Sequence, residues 1–146
     1  MGSLSMWKFR AIFFTVILAV APSSAVSHAQ DTEDAVVVNV PFAFGDGFQN
    51  FDAGRYTIRM GDQKILAIRG DSHSGFAMAW FEENSQPSKT TKVVFRRYGN
   101  RYVLSEIWIA GETSHTYLLP SKAEKREMAA NKAISVAVVA SLEIPR

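Results

Sequence analysis

The sequence has no cysteine and only three histidines, and each shortage excludes a class of protein. Without cysteine there is no disulfide framework, no thiolate zinc or iron–sulfur site and no cysteine nucleophile. Neither His73 nor His115 has a second histidine at metal-ligand spacing, so we expect no metal and no cofactor. Apolar residues make up 47% of the 146 residues, which excludes a disordered chain and allows one globular domain.

The N-terminus has the three-part order of a secretory signal peptide. Two basic residues come first, residues 11–21 are almost entirely apolar, and small residues follow at the −3 and −1 positions of a cleavage site near Ala29. The apolar run is about half as long as a membrane-spanning helix requires. We therefore predict a signal peptide over residues 1–29. The mature chain, residues 30–146, would have no transmembrane segment and would be exported to the periplasm or the cell exterior.

Loss of the signal peptide changes the charge of the protein. The whole chain has 16 Lys and Arg against 14 Asp and Glu, a formal net charge of +2. Because Lys8 and Arg10 leave with the signal peptide and no acid does, the mature chain has 14 bases and 14 acids. A neutral chain lacks the general basicity of nucleic-acid-binding proteins, so we expect no nucleic-acid partner.

Apolar and polar residues alternate along most of the mature chain, which is the period of half-buried β-strands. Pro41 lies within the first such stretch and predicts an edge strand or a bend. Gly61-Asp62 and Gly99-Asn100 are each typical of a two-residue hairpin turn. About eight short strands with glycine-rich turns predict an all-β domain, either an antiparallel sandwich or a small barrel. The predicted strands are residues 35–44, 55–60, 64–69, 76–81, 91–98, 101–109, 115–119 and 134–144.

One short helix is predicted near the C-terminus. Ser121 and Glu124 have the spacing of a capping box, in which each residue satisfies a backbone N–H at the start of the helix. Residues 122–131 are rich in Ala, Glu, Lys, Arg and Met, all good helix formers. A β-branched alternation follows from Ile134, so the chain returns to a strand. We expect the helix to cover an open edge or end of the sheet.

The two-residue turn at Gly99-Asn100 fixes the register of the hairpin around it. Glu106 then shares a face with aromatic residues and with Arg97. The role we predict for Glu106 is an ion pair with Arg97, since opposite charges pair across strands. The predicted cross-strand neighbours are Arg97 with Tyr102, Phe95 with Leu104, and Val93 with Glu106.

A family of small secreted proteins of unknown function, abundant in soil bacteria, resembles this chain at residues 97–108 (RYGNRYVLSEIW) and 119–127 (LPSKAEKRE). Residues 40–44 (VPFAF) and 53–58 (AGRYTI) are similar to the N-terminal half of that family, so the resemblance spans most of the mature chain. Members often have Leu-Pro where this chain has Phe51-Asp52, which affects the local turn. The resemblance implies export and a compact β-rich domain, and it carries no activity.

No catalytic motif is evident in the sequence. Asp71, Ser72 and His73 are adjacent in one loop, whereas a catalytic triad needs residues that converge from separate elements, so we predict a polar hairpin tip. A nucleophile elbow, a phosphate-binding loop and a dinucleotide fingerprint are also missing. We expect that the protein is not an enzyme, with a hydrolase as a remote alternative.

A stretch without acids, residues 84–105, interleaves bases with aromatic rings. Charge and ring stacking together suit an anionic ligand, so we predict a non-enzymatic binding module. Its partner would be an anionic glycan, an envelope component or another protein, meeting this stretch or an open strand edge. The alternative is a solvated face whose arginines stack on tyrosines and pair with distant acids. The residues of this surface are Lys89, Lys92, Arg96, Arg97, Tyr98, Arg101 and Tyr102.

The second functional interpretation is a small β-barrel that holds an apolar ligand in its interior. Large apolar side chains would then line a cavity instead of filling a core. The residues assigned to this alternative cavity are Tyr56, Phe76, Met78, Trp80 and Trp108.

Overall fold

The computed structural model describes residues 34–61 and 64–143. Strands make up most of this part and one short helix lies near the C-terminus, which confirms the predicted all-β class. The predicted signal peptide and its cleavage site near Ala29 lie outside the described residues. Within those residues, no helix is both long enough and apolar enough to cross a membrane.

Eleven strands and one helix follow one another along the described residues, where the sequence predicted about eight strands. The predicted strands 35–44 and 76–81 are each divided in two, and a short strand at Asn50–Phe51 lies between them in the sequence. The elements are β1 (Ala35–Val40), β2 (Phe44–Gly45), β3 (Asn50–Phe51), β4 (Gly54–Gly61), β5 (Ile65–Gly70), β6 (Ser74–Met78), β7 (Trp80–Glu83), β8 (Lys92–Tyr98), β9 (Arg101–Trp108), β10 (Ser114–Tyr117), α1 (Lys122–Ala130) and β11 (Ile134–Glu143).

The strands form a mixed sheet that curls into a half-barrel. Its order is β3-β2-β9-β8-β11-β1-β4-β5-β6, and the pair β2–β9 is parallel while the other described pairs are antiparallel. Past the buried Ala79, β6 continues into β7, which pairs with β10, and β10 returns to β9. Of the two architectures that the sequence left open, the curled sheet is nearer to the barrel.

An aromatic cluster fills one part of the core. Phe44, Phe51, Tyr56 and Phe95 are all buried, with neighbouring ring centroids 5.0–5.8 Å apart. Burial of each large apolar side chain contributes about 1.5–3 kcal/mol. The Tyr56 hydroxyl donates to the Asp52 carbonyl at 2.6 Å, which satisfies its polar end. Burial, followed by the charge of Asp52, raises the pKa of Tyr56 above its ordinary value.

The β8–β9 hairpin has the two-residue turn that the sequence predicts. Gly99 has φ +58°, a backbone conformation that glycine adopts without steric cost. The structure confirms the predicted pairs Arg97 with Tyr102 and Phe95 with Leu104.

Farther from the turn, a β-bulge at Ser105 shifts the register. Ser105 has no partner on β8, so Val93 lies opposite Ile107, and the predicted pairing with Glu106 is wrong. An extra residue in one strand reverses its alternation beyond that point. Ile107 therefore enters the core, and Glu106 lies on the opposite face.

The β4–β5 hairpin also differs from its prediction. Gly61 pairs with Ile65, so three residues separate the strands and the predicted two-residue turn is wrong. Lys64 closes this loop at φ +63°, as the last residue of a three-residue hairpin loop often does. Asp62, part of the predicted turn, lies outside the described residues.

The helix α1 begins at the predicted capping box. The Ser121 hydroxyl accepts a hydrogen bond from the Glu124 backbone N–H at 3.1 Å, and the Ser121 N–H donates to Glu124 Oε2 at 3.4 Å. Through Glu124 and Glu127, the helix contacts the β8–β9 hairpin close to its turn.

Candidate functional site

The hairpin divides the predicted basic and aromatic residues between its two faces, because successive residues of a strand point to opposite sides. Arg96 and Tyr98 lie on the face that meets α1. Arg97 and Tyr102, which pair across the strands, lie on the other face. Lys89 is exposed in the loop between β7 and β8. The structure therefore does not bring the seven predicted residues into one surface.

Two of the seven residues, Arg96 and Tyr98, contact Glu124, a buried acid of α1. Glu124 is 1% exposed, and its Oε1 lies 2.8 Å from Arg96 Nε and accepts the Tyr98 hydroxyl at 3.2 Å. The Arg96 Nε–H does not point at that oxygen, so the contact is an ion pair without a hydrogen bond. Burial, followed by the charge of Glu124, raises the pKa of Tyr98 above its ordinary value. Arg96 and Tyr98 thus serve to attach α1 to the sheet.

Lys92 belongs to a different group of side chains, at the far end of the hairpin. Its Nζ lies 5.3 Å from the centroid of the Trp108 ring, and His115 of β10 stacks on that ring at 4.0 Å. The Trp108 Nε1–H donates to Glu106 Oε2 at 2.7 Å. The predicted ion pair between Glu106 and Arg97 is therefore wrong, because the bulge at Ser105 places the two side chains on opposite faces of the hairpin.

The remaining residues of the predicted surface, Arg97, Arg101 and Tyr102, lie near the turn. The Tyr102 ring stacks on Phe42 with centroids 3.8 Å apart, and the Arg97 guanidinium lies 5.7 Å from the centroid of the same ring. Arg97 Nε also donates to the Gly99 carbonyl at 2.7 Å. Arg101 pairs with Tyr98, so its side chain lies on the opposite face of the hairpin from Arg97 and Tyr102.

Arg101 lines two adjoining grooves, of about 240 and 380 Å³. Its side chain is 46% exposed, and among the described residues its one hydrogen bond runs from Nη1 to Glu127 Oε1, at 2.5 Å. The other N–H groups of the guanidinium are directed at no described partner, and such groups suit carboxylates and phosphates. Asn50 also lines both grooves, Asn100 and Tyr102 line the smaller one, and Phe48 and Gln49 the larger one.

The loop between β2 and β3 builds one wall of the larger groove. Asp46 is buried, and its Oδ1 accepts the backbone N–H groups of Phe48 and Gln49, each at 2.8 Å. This side-chain-to-backbone bonding fixes the loop, as Asp commonly does in turns. Phe48 remains 87% exposed. The groove thus offers a cation, side-chain amides and an aromatic ring on a fixed backbone.

The pattern of bases and aromatic residues predicts Arg101 and Tyr102 as site residues, but it does not include Phe48 and Asn50. These two lie about fifty residues earlier in the chain, in a segment interpreted only as a turn. The parallel pairing of Gly45 with Val103 brings them to the hairpin. A single parallel contact of this kind has no periodic signal in the sequence.

The five residues of the alternative apolar cavity do not line one space. Tyr56 is buried in the aromatic cluster, whereas Phe76 and Met78 are 68% and 62% exposed on β6. Trp108 stacks with His115 on the face opposite to the core. Trp80 is half-buried on β7.

The described residues contain no group of three or more His, Asp or Glu that could hold a metal ion. Asp71, Ser72 and His73 are exposed in the loop between β5 and β6.

A comparison of the chain with protein-family models, curated proteins and solved structures finds no match.

Proposed function

We propose that this protein is an exported, non-enzymatic β-domain that binds an acidic glycan at Arg101. One observation carries the proposal: a half-exposed guanidinium is shared by two adjoining grooves that side-chain amides also line. The planar guanidinium can bind a carboxylate through two parallel hydrogen bonds.

The neighbouring side chains supply what a sugar ring requires in addition to charge. The amides of Asn50 and Asn100 can each donate to and accept from hydroxyl groups. The exposed Phe48 ring offers apolar surface to the C–H groups of a sugar. A carboxylated sugar polymer combines these chemistries and is found outside the cell, where the signal peptide would send the protein.

In the free protein Glu127 pairs with Arg101. A ligand carboxylate therefore has to displace the Glu127 carboxylate or bind beside it. The Arg101 side chain of this ion pair is 46% exposed and the Glu127 side chain is half-buried. Exposed pairs contribute only about 0.2–1 kcal/mol, so the exchange has a small cost. The ion pair therefore keeps Arg101 in place without blocking the grooves.

The test is calorimetric titration of the mature chain with polygalacturonate, a polymer of carboxylated sugars, and with neutral dextran. We expect binding to polygalacturonate that weakens with added salt, and none to dextran. Arg101→Ala should weaken binding by about tenfold or more, the effect of losing one charged hydrogen-bonding group. Arg59→Ala removes the same charge from an exposed position on β4 and should change binding less than about twofold. Equal losses in the two variants, or equal binding of the two polymers, would contradict the proposal.

A further inference from the structure

The strand β11 changes its neighbour half-way along its length. Residues 134–139 pair with β8, and residues 140–143 pair with β1. The strand β1 ends at Val40, and the Pro41 that follows has no N–H with which to continue the pairing. The first half of β11 is therefore paired on one side, and no described strand pairs with its other side.

One hydrogen bond shows which backbone groups face this free side. The Ala140 N–H donates to the Thr91 carbonyl at 3.0 Å, in the direction of β8. The residues of a strand direct their N–H and C=O groups alternately to its two sides, so every second residue before Ala140 also faces β8. Ser135 and Ala137 therefore direct their N–H and C=O groups to the free side, where another strand can bond them.

None of the usual devices protects this edge. Its sequence, ISVAVV, contains neither a charge nor a proline, and its register with β8 has no bulge. Exposed edge strands in natural proteins generally carry lysine, proline or a bulge, because an open edge can pair with another chain. The edge is therefore suited to an extended segment that adds a strand to the sheet.

The side chains of the same half-strand leave apolar surface uncovered on the core side. Ile134 is exposed, and Val136 and Val138 are half-buried. Apolar side chains of an added strand would cover part of this surface. Because side chains alternate between the two faces of a strand, we expect every second residue of the partner to be apolar.

The charges around the free edge are basic. Arg97 and Lys92 of β8 pair with its first and last residues. A groove of about 540 Å³, where β11 passes from β8 to β1, is lined by Arg55 and Asn39 among others. Within the part of the chain that the structure describes, no acid lies within ion-pair distance of these three bases. The acid of β11, Glu143, lies at the opposite end of the strand.

We propose that the partner is an extended acidic segment of another protein, which pairs with the free side of residues 134–137. Its acidic side chains lie on the face opposite to the core, which is the face of Lys92 and Arg55, and its apolar side chains lie on the core side. A second copy of this chain does not supply the acidic charge, because the same bases flank its own edge.

The test is calorimetric titration of the mature chain with two eight-residue peptides that are acetylated and amidated at their ends. One peptide alternates valine with glutamate, and the other alternates valine with lysine. We expect the glutamate peptide to bind at least about tenfold more tightly than the lysine peptide. Added salt should weaken its binding, since the bases around the edge are solvated.

Two pairs of variants locate the binding. Ala137→Pro removes an N–H on the free side and no bond to β8, so it should weaken binding of the glutamate peptide by about tenfold or more. Ala137→Val adds a side chain of similar size and retains the N–H, so it should change binding less than about twofold. Arg55→Gln should weaken binding about threefold, whereas Arg59→Gln, on the same strand but outside the groove, should not. Circular dichroism verifies that each variant folds.

Equal binding of the two peptides, or no binding of either up to about 1 mM, would overturn the proposal. Equal affinities of Ala137→Pro and Ala137→Val for the glutamate peptide would also overturn it, since backbone pairing at this edge would then not be involved. Equal losses in Arg55→Gln and Arg59→Gln would refute the role of the groove. Sedimentation equilibrium tests the other occupant: a dimer that Ala137→Pro dissociates would place a second copy at this edge and contradict an acidic partner.

Discussion

Glu124 is the charged side chain with the least exposure among the described residues, and its replacement by glutamine should reveal how α1 is attached. Glutamine has the same shape and can keep the capping box with Ser121. It can also accept the Tyr98 hydroxyl. The change therefore removes the charge next to Arg96 and leaves most other contacts in place.

The magnitude follows from the exposure of the ion pair. Removal of one member of a fully buried pair costs about 3–5 kcal/mol, whereas exposed pairs contribute about 0.2–1 kcal/mol. The Arg96 side chain is 18% exposed, so part of its charge remains solvated when Glu124 becomes neutral. We expect Glu124→Gln to lower the free energy of unfolding by about 2 kcal/mol, between these limits.

Glu127→Gln provides the matched control, because it makes the same change one turn later on the same helix. Its ion pair is more exposed than that of Glu124, with Arg101 46% and Glu127 34% exposed, so the cost should be about 0.5 kcal/mol. Urea unfolding measures both values, and the thermal midpoints should fall by about 8 °C and about 2 °C. An equal or smaller cost for Glu124→Gln would refute the reasoning, since the buried contact would then contribute no more than a surface pair.

Three further outcomes follow from particular contacts. The pKa of the Tyr98 hydroxyl is raised in the folded chain, so the unfolded chain loses the hydroxyl proton at a lower pH. The stabilisation is therefore complete below about pH 10 and is lost as the pH rises through the pKa of the folded chain. Tyr98→Phe should reduce that alkaline loss, measured by urea unfolding at about pH 8 and pH 11. Gly99→Ala should cost about 1 kcal/mol, because an added Cβ meets no atom within 4 Å and only the positive φ opposes it; a cost near zero would show that the turn relaxes. Glu127→Gln should strengthen binding of polygalacturonate, since it leaves the Arg101 guanidinium without its competing carboxylate, and calorimetry that finds weaker binding would contradict this role.

The sequence predicts those features of the fold that depend on local chemistry. Gly99 accepts positive φ, so the Gly99-Asn100 turn and the pairs beside it could be placed. Ser121 and Glu124 satisfy backbone groups three residues apart, so the start of α1 could be placed as well. Each of these signals lies within a few residues and is independent of the rest of the fold.

The features that the sequence does not predict depend on contacts between distant segments. Ser105 is an ordinary strand residue, and nothing beside it indicates the bulge that separates Glu106 from Arg97. The parallel contact between Gly45 and Val103, which completes the grooves at Arg101, depends on the curl of the whole sheet. The predicted binding stretch therefore contained the central arginine but not the residues around it.

The amide and side-chain NMR spectra of the isotopically labelled mature chain test the binding of an acidic glycan most directly. Titration with a short oligomer of galacturonate should shift the signals of Asn50, Asn100 and the Arg101 Nε–H together, with one saturation curve. Signals of Arg59 and of β11 should remain in place. Shifts spread evenly over all exposed lysines and arginines, or no shift at Arg101, would contradict a site in these grooves.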